Sequence, residues 1–292
     1  MKYTNASYEI WEQEPGIQGI FKQIERAGRI CYKSEDNITE DSAEPFVQRM
    51  IDSKHTAMLE HGTVYLYVKH DEQDGVDMGD PYDISLNLIL NKFTVHNSNF
   101  DTHESFFTTN LRVLVENFPN DWRDILNEYC VDYDDRFIRR TTVYFICDRF
   151  TGESFLRHRV FSFARESTRY CNYTKNKFGN EITFIEPCFS KKNKAAHEQM
   201  TSALRYAETY YKYLINEGWK PEEARVVLPC AIKSPLVMTG TVEQWDGFFD
   251  LRARGTTGKP HPQAKELAEP LMNEFIQKGW IASTAKPVNG EK

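Results

Sequence analysis

The residue types best suited to chemistry fall in one stretch, Arg157-His158-Arg159-Val160-Phe161-Ser162-Phe163-Ala164-Arg165-Glu166-Ser167-Thr168-Arg169-Tyr170. Four arginines and a histidine lie there within thirteen residues of an otherwise acidic chain. Guanidinium forks grip phosphate and carboxylate through paired N–H donors, so the run is suited to holding an anionic ligand. With residues about 100° apart on a helix, Arg157, His158, Ser162, Arg165 and Arg169 share one sector. Leu156, Val160, Phe163 and Ala164 face the other way. The stretch is therefore expected to be helical, starting at Thr151-Gly152-Glu153-Ser154. Two other readings compete. One is a solvated basic face paired with surplus acids, whose contacts are individually weak. The other is a single-stranded nucleic-acid module with Tyr170, Tyr173 and Phe178 as stacking groups. The net charge of −7, from 36 basic and 43 acidic side chains, argues against a nucleic-acid or membrane-surface partner.

A second cluster, His55-Thr56-Ala57-Met58-Leu59-Glu60-His61, holds residue types that can ligate metal. Its spacing is not that of the HExxH zinc motif and no cysteine is near, so no metal is expected. A structural histidine at a helix C-terminus is the simpler reading. No glycine-rich phosphate loop occurs, which removes P-loop and Rossmann readings. Six cysteines (Cys31, Cys130, Cys147, Cys171, Cys188, Cys230) are scattered without CxxC pairs, so reduced thiols, a cytoplasmic location and no cysteine nucleophile are expected.

The elements that must position these groups are legible from patterning. The 292 residues are 40% apolar and 27% charged, an ordinary globular balance, and 19 Phe with 15 Tyr can fill a sizeable core. No apolar run approaches a membrane span, and the first residues lack the apolar core of a secretory signal. The spacing predicts a helix over 41–54, with Phe46, Val47, Met50 and Ile51 on one face, and a strand over 63–68. A polar, irregular region over about 70–138 follows, read as a surface insertion with at most two short helices, around 111–117 and 121–129. A strand is expected over 141–147. Ala203, Tyr206, Ala207, Tyr210, Tyr211 and Leu214 form the apolar stripe of another helix, stopped by Gly218 and Pro221. Two last helices are expected over 242–251 and 262–278. Few strands and several long helices out of strict alternation indicate an α+β fold, a mixed or antiparallel sheet packed with long helices.

Arg157-His158-Arg159, seven residues, then Ser167 resembles the RHR-x7-S signature of the flavin-dependent thymidylate synthases, the thymidylate synthase-complementing protein family. Three further blocks follow that family's order: His55 to His61, Ala224-Arg225-Val226-Val227-Leu228-Pro229, and Phe248 to Arg252 with Pro260 to Lys265. The resemblance covers about residues 45–280 and implies a single domain over 1–292 with that family's α+β fold, the 70–138 region being atypical. It implies a homotetramer with sites between subunits. The implied enzyme reductively methylates dUMP to dTMP, with methylenetetrahydrofolate as carbon donor, FAD as hydride carrier and NADPH as reductant. By the same resemblance, His55, Ala57, Arg157, His158, Arg159, Asp250, Leu251 and Arg252 would contact flavin. Ser154, Arg157, Ser167, Thr168, Arg169 and Arg225 would hold dUMP, with Arg165 between the two ligands. The C-terminal block departs from the family's pattern, placing Lys265 where an arginine that activates the uracil ring is expected; Arg254 is its competitor. That departure leaves a catalytically degenerate homologue as an alternative.

Overall fold

Strand-forming and helix-forming residues alternate irregularly along the chain, and the computed structural model, which describes residues 1–70, 81–99 and 101–283, follows them. Strands β1 (Lys2–Thr4) and β2 (Ser7–Trp11) lead into helices α1 (Gly16–Ile30) and α2 (Ala43–Asp52), then strand β3 (Thr63–Lys69). Next come α3 (Pro81–Leu90), β4 (Val95–Asn99), β5 (Glu104–Asn110), α4 (Leu111–Asn117) and α5 (Trp122–Tyr129). The remainder is β6 (Arg140–Asp148), α6 (Arg149–Phe155), β7 (Ser162–Arg165), β8 (Thr183–Ile185), α7 (Lys194–Asn216), α8 (Pro221–Ala224), β9 (Lys233–Thr241), α9 (Val242–Phe249) and α10 (Pro262–Gln277). An antiparallel sheet runs β2-β6-β9-β7, a second runs β3-β5-β4, and β1 pairs in parallel with β8. The architecture is α+β, as the patterning implies.

Two apolar cores position the rest. One packs α1, α2, β3, β5, α4 and α5 through Ile24, Val47, Leu66, Phe107, Leu114 and Leu126. The other packs β6 and β9 against α6, α9 and α10 through Phe145, Phe155, Met238, Trp245, Phe248, Leu271 and Phe275. Residues 104–129 thus belong to the first core, not to a surface excursion. The two expected helices are there, preceded by a central strand that hydropathy hides. Strand β5 buries Ser105, Thr108 and Thr109, whose hydroxyls are answered by Ser98 at 3.2 Å, the Ile138 carbonyl at 2.9 Å and Thr94 at 2.9 Å. Polar groups are buried without penalty when so paired. The acidic run at 71–75 lies outside the described residues.

Helix α7 forms where expected but is rotated part-way about its axis, so Tyr211 and Leu214 of the expected stripe stay on the core while Tyr206 and Tyr210 do not. Leu204, Glu208 and Tyr211 face inward, while Tyr206, Tyr210 and Tyr213 stand in solvent. Glu208 can face inward because it receives the N-terminal ammonium at 2.9 Å and the Ile182 N–H at 2.9 Å.

A candidate nucleotide and flavin site on the Arg157 turn

Asp148, at the end of β6, caps α6 by accepting from the Thr151 N–H at 2.8 Å. The helix then stops at Phe155, and residues 156–161 make tight turns into β7. The expected helix through 170 is therefore absent. Ser162 and Ala164 bury their side chains opposite Thr239 and Val237 of β9, and β-branched or aromatic residues on either side suit a pleated strand. Val160, which the helix would have buried, is 62% exposed.

The turn lifts Arg157 and Arg159 into solvent and folds His158 back onto the edge of the Phe248 ring, 5.0 Å between centroids. Arg252, in the π-turn that ends α9, donates from Nε to His158 Nε2 at 3.0 Å and from Nη2 to the Ser154 carbonyl at 2.6 Å. Burial, then the Arg252 and Arg157 cations, pull His158 down to about 4, so the ring is neutral at pH 7 and keeps its proton on Nδ1. Arg157, His158, Leu251 and Arg252 line a cleft of about 450 Å3 with the 257–261 loop. That loop turns at Gly255, whose φ of +74° and closeness to Pro260 leave no room for a side chain.

A second cleft, about 360 Å3, lies across α6. Thr168 lines it, and its Oγ1 accepts from Arg149 at 3.2 Å and from Arg225 at 3.5 Å. Arg169 is held by Glu222 at 2.7 Å on the rim. Ser167 anchors the loop through its backbone N–H to the Cys31 carbonyl at 2.9 Å, and its hydroxyl accepts from the Arg169 N–H at 3.3 Å. Ser154 turns its own hydroxyl to the Thr151 carbonyl at 2.7 Å.

Not every expected residue joins these clefts. Arg165 is built into the framework, donating to Ser234 Oγ at 2.7 Å and to the Arg149 carbonyl at 3.0 Å, which fixes Arg149. Asp250 is engaged with Arg254 at 2.8 Å. His55 and Ala57 lie exposed on the short helical turn Thr56–His61 and border neither cleft. Lys265, in the first turn of α10, reaches Glu269 at 3.2 Å and also lines neither cleft. Two residues escape the sequence reading. Arg149 is one; its signal is an Asp-Arg pair closing a β-branched run. Gln263 is the other, donating to Asp148 Oδ2 at 3.0 Å and so tying α10 to the start of α6. Of the three stacking groups of the nucleic-acid alternative, Tyr173 is buried with its hydroxyl on Glu166 at 3.0 Å, while Tyr170 is exposed.

Comparison with known proteins finds relatives over the same part of the chain. Residues 139–278, which carry both clefts, match the family model described as thymidylate synthase complementing protein. The flavin-dependent thymidylate synthase of Pyrococcus furiosus is 31% identical over 140 residues, 48% of this chain and 55% of its own. That of Pyrococcus abyssi is 32% identical over 132 residues, 45% and 52% of the two chains. That of Geobacter sulfurreducens is 26% identical over 104 residues, 36% and 43%. The chain thus spans about half the length of the curated relatives it matches. Among solved structures, the UMP/dUMP methylase PolB from Streptomyces cacaoi, bound with 5-Br dUMP, aligns over 95% of this chain and 93% of its own at 15% identity, with a TM-score of 0.46. Over residues 139–278 this chain is thus similar to the thymidylate synthase complementing protein family.

Proposed function

We propose that the protein methylates dUMP to dTMP, with methylenetetrahydrofolate as carbon donor, FAD as cofactor and NADPH as reductant. The observation that supports this most is the pairing of two arginine-lined clefts about one short helix. In the first, Arg157, Arg252 and Lys259 have no carboxylate within ion-pair distance among the described residues, a donor set suited to a dinucleotide's pyrophosphate. When bound, the reduced flavin supplies the hydride. Neutral His158 presents its Nδ1–H from a fixed ring, and Arg252 holds that tautomer. In the second cleft, Arg149, Arg225 and Thr168 grip the nucleotide phosphate and Ser167 orients the loop. Lys265 is proposed to stabilise the negative charge that develops on the uracil ring, with His55, Ala57, Arg159 and Asp250 completing sites shared between copies.

Sharing of that kind needs an oligomer, and the solvent-facing tyrosines of α7 offer a surface for a homotetramer. We place the enzyme in the cytoplasm, as one domain whose 70–138 segment is an addition to the family's common part. The test is direct. Purified protein should be yellow, with flavin absorbance near about 450 nm. Tritium should leave carbon-5-labelled dUMP only when folate donor, flavin and NADPH are all present. A colourless protein that releases no tritium on reconstitution with FAD overturns the proposal.

A further inference from the structure

A cavity of about 210 Å3 lies away from both clefts, between the end of β2, strand β3 and the start of β6. Its walls include Trp11, Tyr65, Tyr133, Arg139, Arg140 and Trp280. Tyr133 lies outside residues 139–278, the segment that matches the family model.

The cavity is lined by unanswered donors. The Arg140 guanidinium reaches only two neutral hydroxyls, Thr63 Oγ1 at 3.2 Å and Ser162 Oγ at 2.9 Å. No carboxylate among the described residues pairs with it, although the side chain is part-buried and a charge out of water ordinarily takes a partner. Burial draws it down only to about 10, so it remains a cation at neutral pH. Trp11 is 4% exposed, and its Nε1–H has no acceptor among the described residues. The Tyr65 oxygen accepts from the Arg140 backbone N–H at 3.3 Å, which leaves its own hydrogen to donate. Arg139 spans the rim, its guanidinium over the rings of Tyr133 at 4.0 Å and Trp280 at 4.8 Å. Three carboxylates also border the cavity, but each is occupied. Glu12 meets Lys278 at 3.4 Å, Glu14 meets Lys22 at 2.7 Å, and Asp132 accepts from the Gly16 N–H at 2.8 Å.

We infer that this cavity binds a small oxyanion carried on a flat ring, with Arg140 and the Trp11 N–H holding the anionic head and the aromatic walls holding the ring. Planar guanidinium matches carboxylate and phosphate alike, and the volume suits one ring with its head group rather than a dinucleotide.

Fluorine NMR titration tests this with three probes: 4-fluorobenzoate, 4-fluorophenyl phosphate and neutral 4-fluorobenzamide. At least one anion should bind saturably, and the tighter of the two identifies the preferred head group; the amide should bind at least about tenfold more weakly, as loss of a charge-assisted contact dictates. Arg140→Gln should weaken the anion by about tenfold or more, and Trp11→Phe, which keeps the ring but removes one donor, by about threefold. Arg225→Gln, in the other cleft, should leave the affinity unchanged. Absence of saturable binding by either anion overturns the inference. So does an unchanged affinity in folded Arg140→Gln or in Trp11→Phe, or a loss confined to Arg225→Gln. Should Arg140→Gln fail to fold, the Trp11→Phe and amide comparisons decide.

Discussion

At the scale of single residues, Arg252 joins the two blocks that matter most to the proposed chemistry. Its guanidinium spends one N–H on His158 and another on the Ser154 carbonyl, so the RHR turn and the end of α9 hold each other in place. Arg252→Ala should therefore move His158 as well as weaken an anion. Burial is the larger cause of the low His158 value and the Arg252 cation the next, so removing both the cation and its cover should raise the ring toward its ordinary range near 6.5. An NMR pH titration of the His158 ring reads this; a value that stays near 4 in the variant would show that Arg252 does not govern the tautomer. The contrast between Lys265 and Arg254 is also decided by partners. Arg254 is clamped by Asp246 and Asp250, both at 2.8 Å, whereas Lys265 has one half-exposed partner and can leave it at little cost. Lys265→Ala should cut dTMP formation by about 10²–10³-fold, the range for losing one preorganised stabilising group, with flavin retained. Arg254→Ala should lower thermal stability instead. A near wild-type rate for the first and a collapse for the second would transfer the role to Arg254.

At the scale of elements, length alone does not decide what is legible: helix α1 and strand β9 are long and carry no expectation, whereas the short helices α4 and α5 do. Helices α2, α7, α9 and α10 and strands β3 and β6 declare themselves because their apolar residues repeat at 3.6 or 2 over many positions. Strand β7 does not. Its four residues alternate, but the flanking arginines also fit a helical wheel, and only pairing with β9 decides between the two. The proposal for which residues hold anions does not depend on that error, because residue type and order carry it; their expected geometry is overturned. Strand β5 is hidden by chemistry: its inward hydroxyls are satisfied by partners remote in sequence. Arg165 is misleading for a related reason, as nothing local reveals that Ser234 and the Arg149 carbonyl will use up its donors. The structural role of β5 makes a prediction. Asn110, 3% exposed, ends that strand and caps α4 by accepting from the Val113 N–H at 3.3 Å. Asn110→Ala should cost about 1 kcal/mol and lower the denaturant midpoint without changing flavin content. An unchanged midpoint would remove 104–117 from the cooperative core; loss of flavin from the folded variant would tie this region to the site.

At the scale of the whole molecule, His61 ties the short turn Thr56–His61 to strand β9, and its burial helps to set how the protein responds to acid. His61 is wholly buried, with Nδ1 on Thr239 Oγ1 at 2.8 Å. Burial first, and the Arg140 cation second, draw it down to about 3. His158 is held near 4. Both rings are thus neutral in the folded protein at pH values where the unfolded chain would protonate them. Below about 6.5 the unfolded state binds more protons than the native one, so stability falls as the pH is lowered; above 6.5 the contribution is fully present. Each histidine adds a slope of at most about 1.4 kcal/mol per pH unit, and the part-exposed His158 adds less than His61 because solvent screens it. Glu166 works in the opposite sense, since burial pushes its carboxyl up and the folded state then gains from protonation. Glu266, part-exposed and also pushed up by burial, adds to it weakly, and the two histidines outweigh both over the range from 6.5 down to about 5. Thermal midpoints should therefore be flat from pH 8 to 7 and drop steadily from 6.5 to 5. His61→Gln keeps a side chain able to bond Thr239 but cannot titrate, so its midpoint should be lower at pH 8 yet fall less steeply toward pH 5. Parallel curves for the two proteins would mean that acid sensitivity resides elsewhere, and that the buried histidine is protonated without cost to the fold.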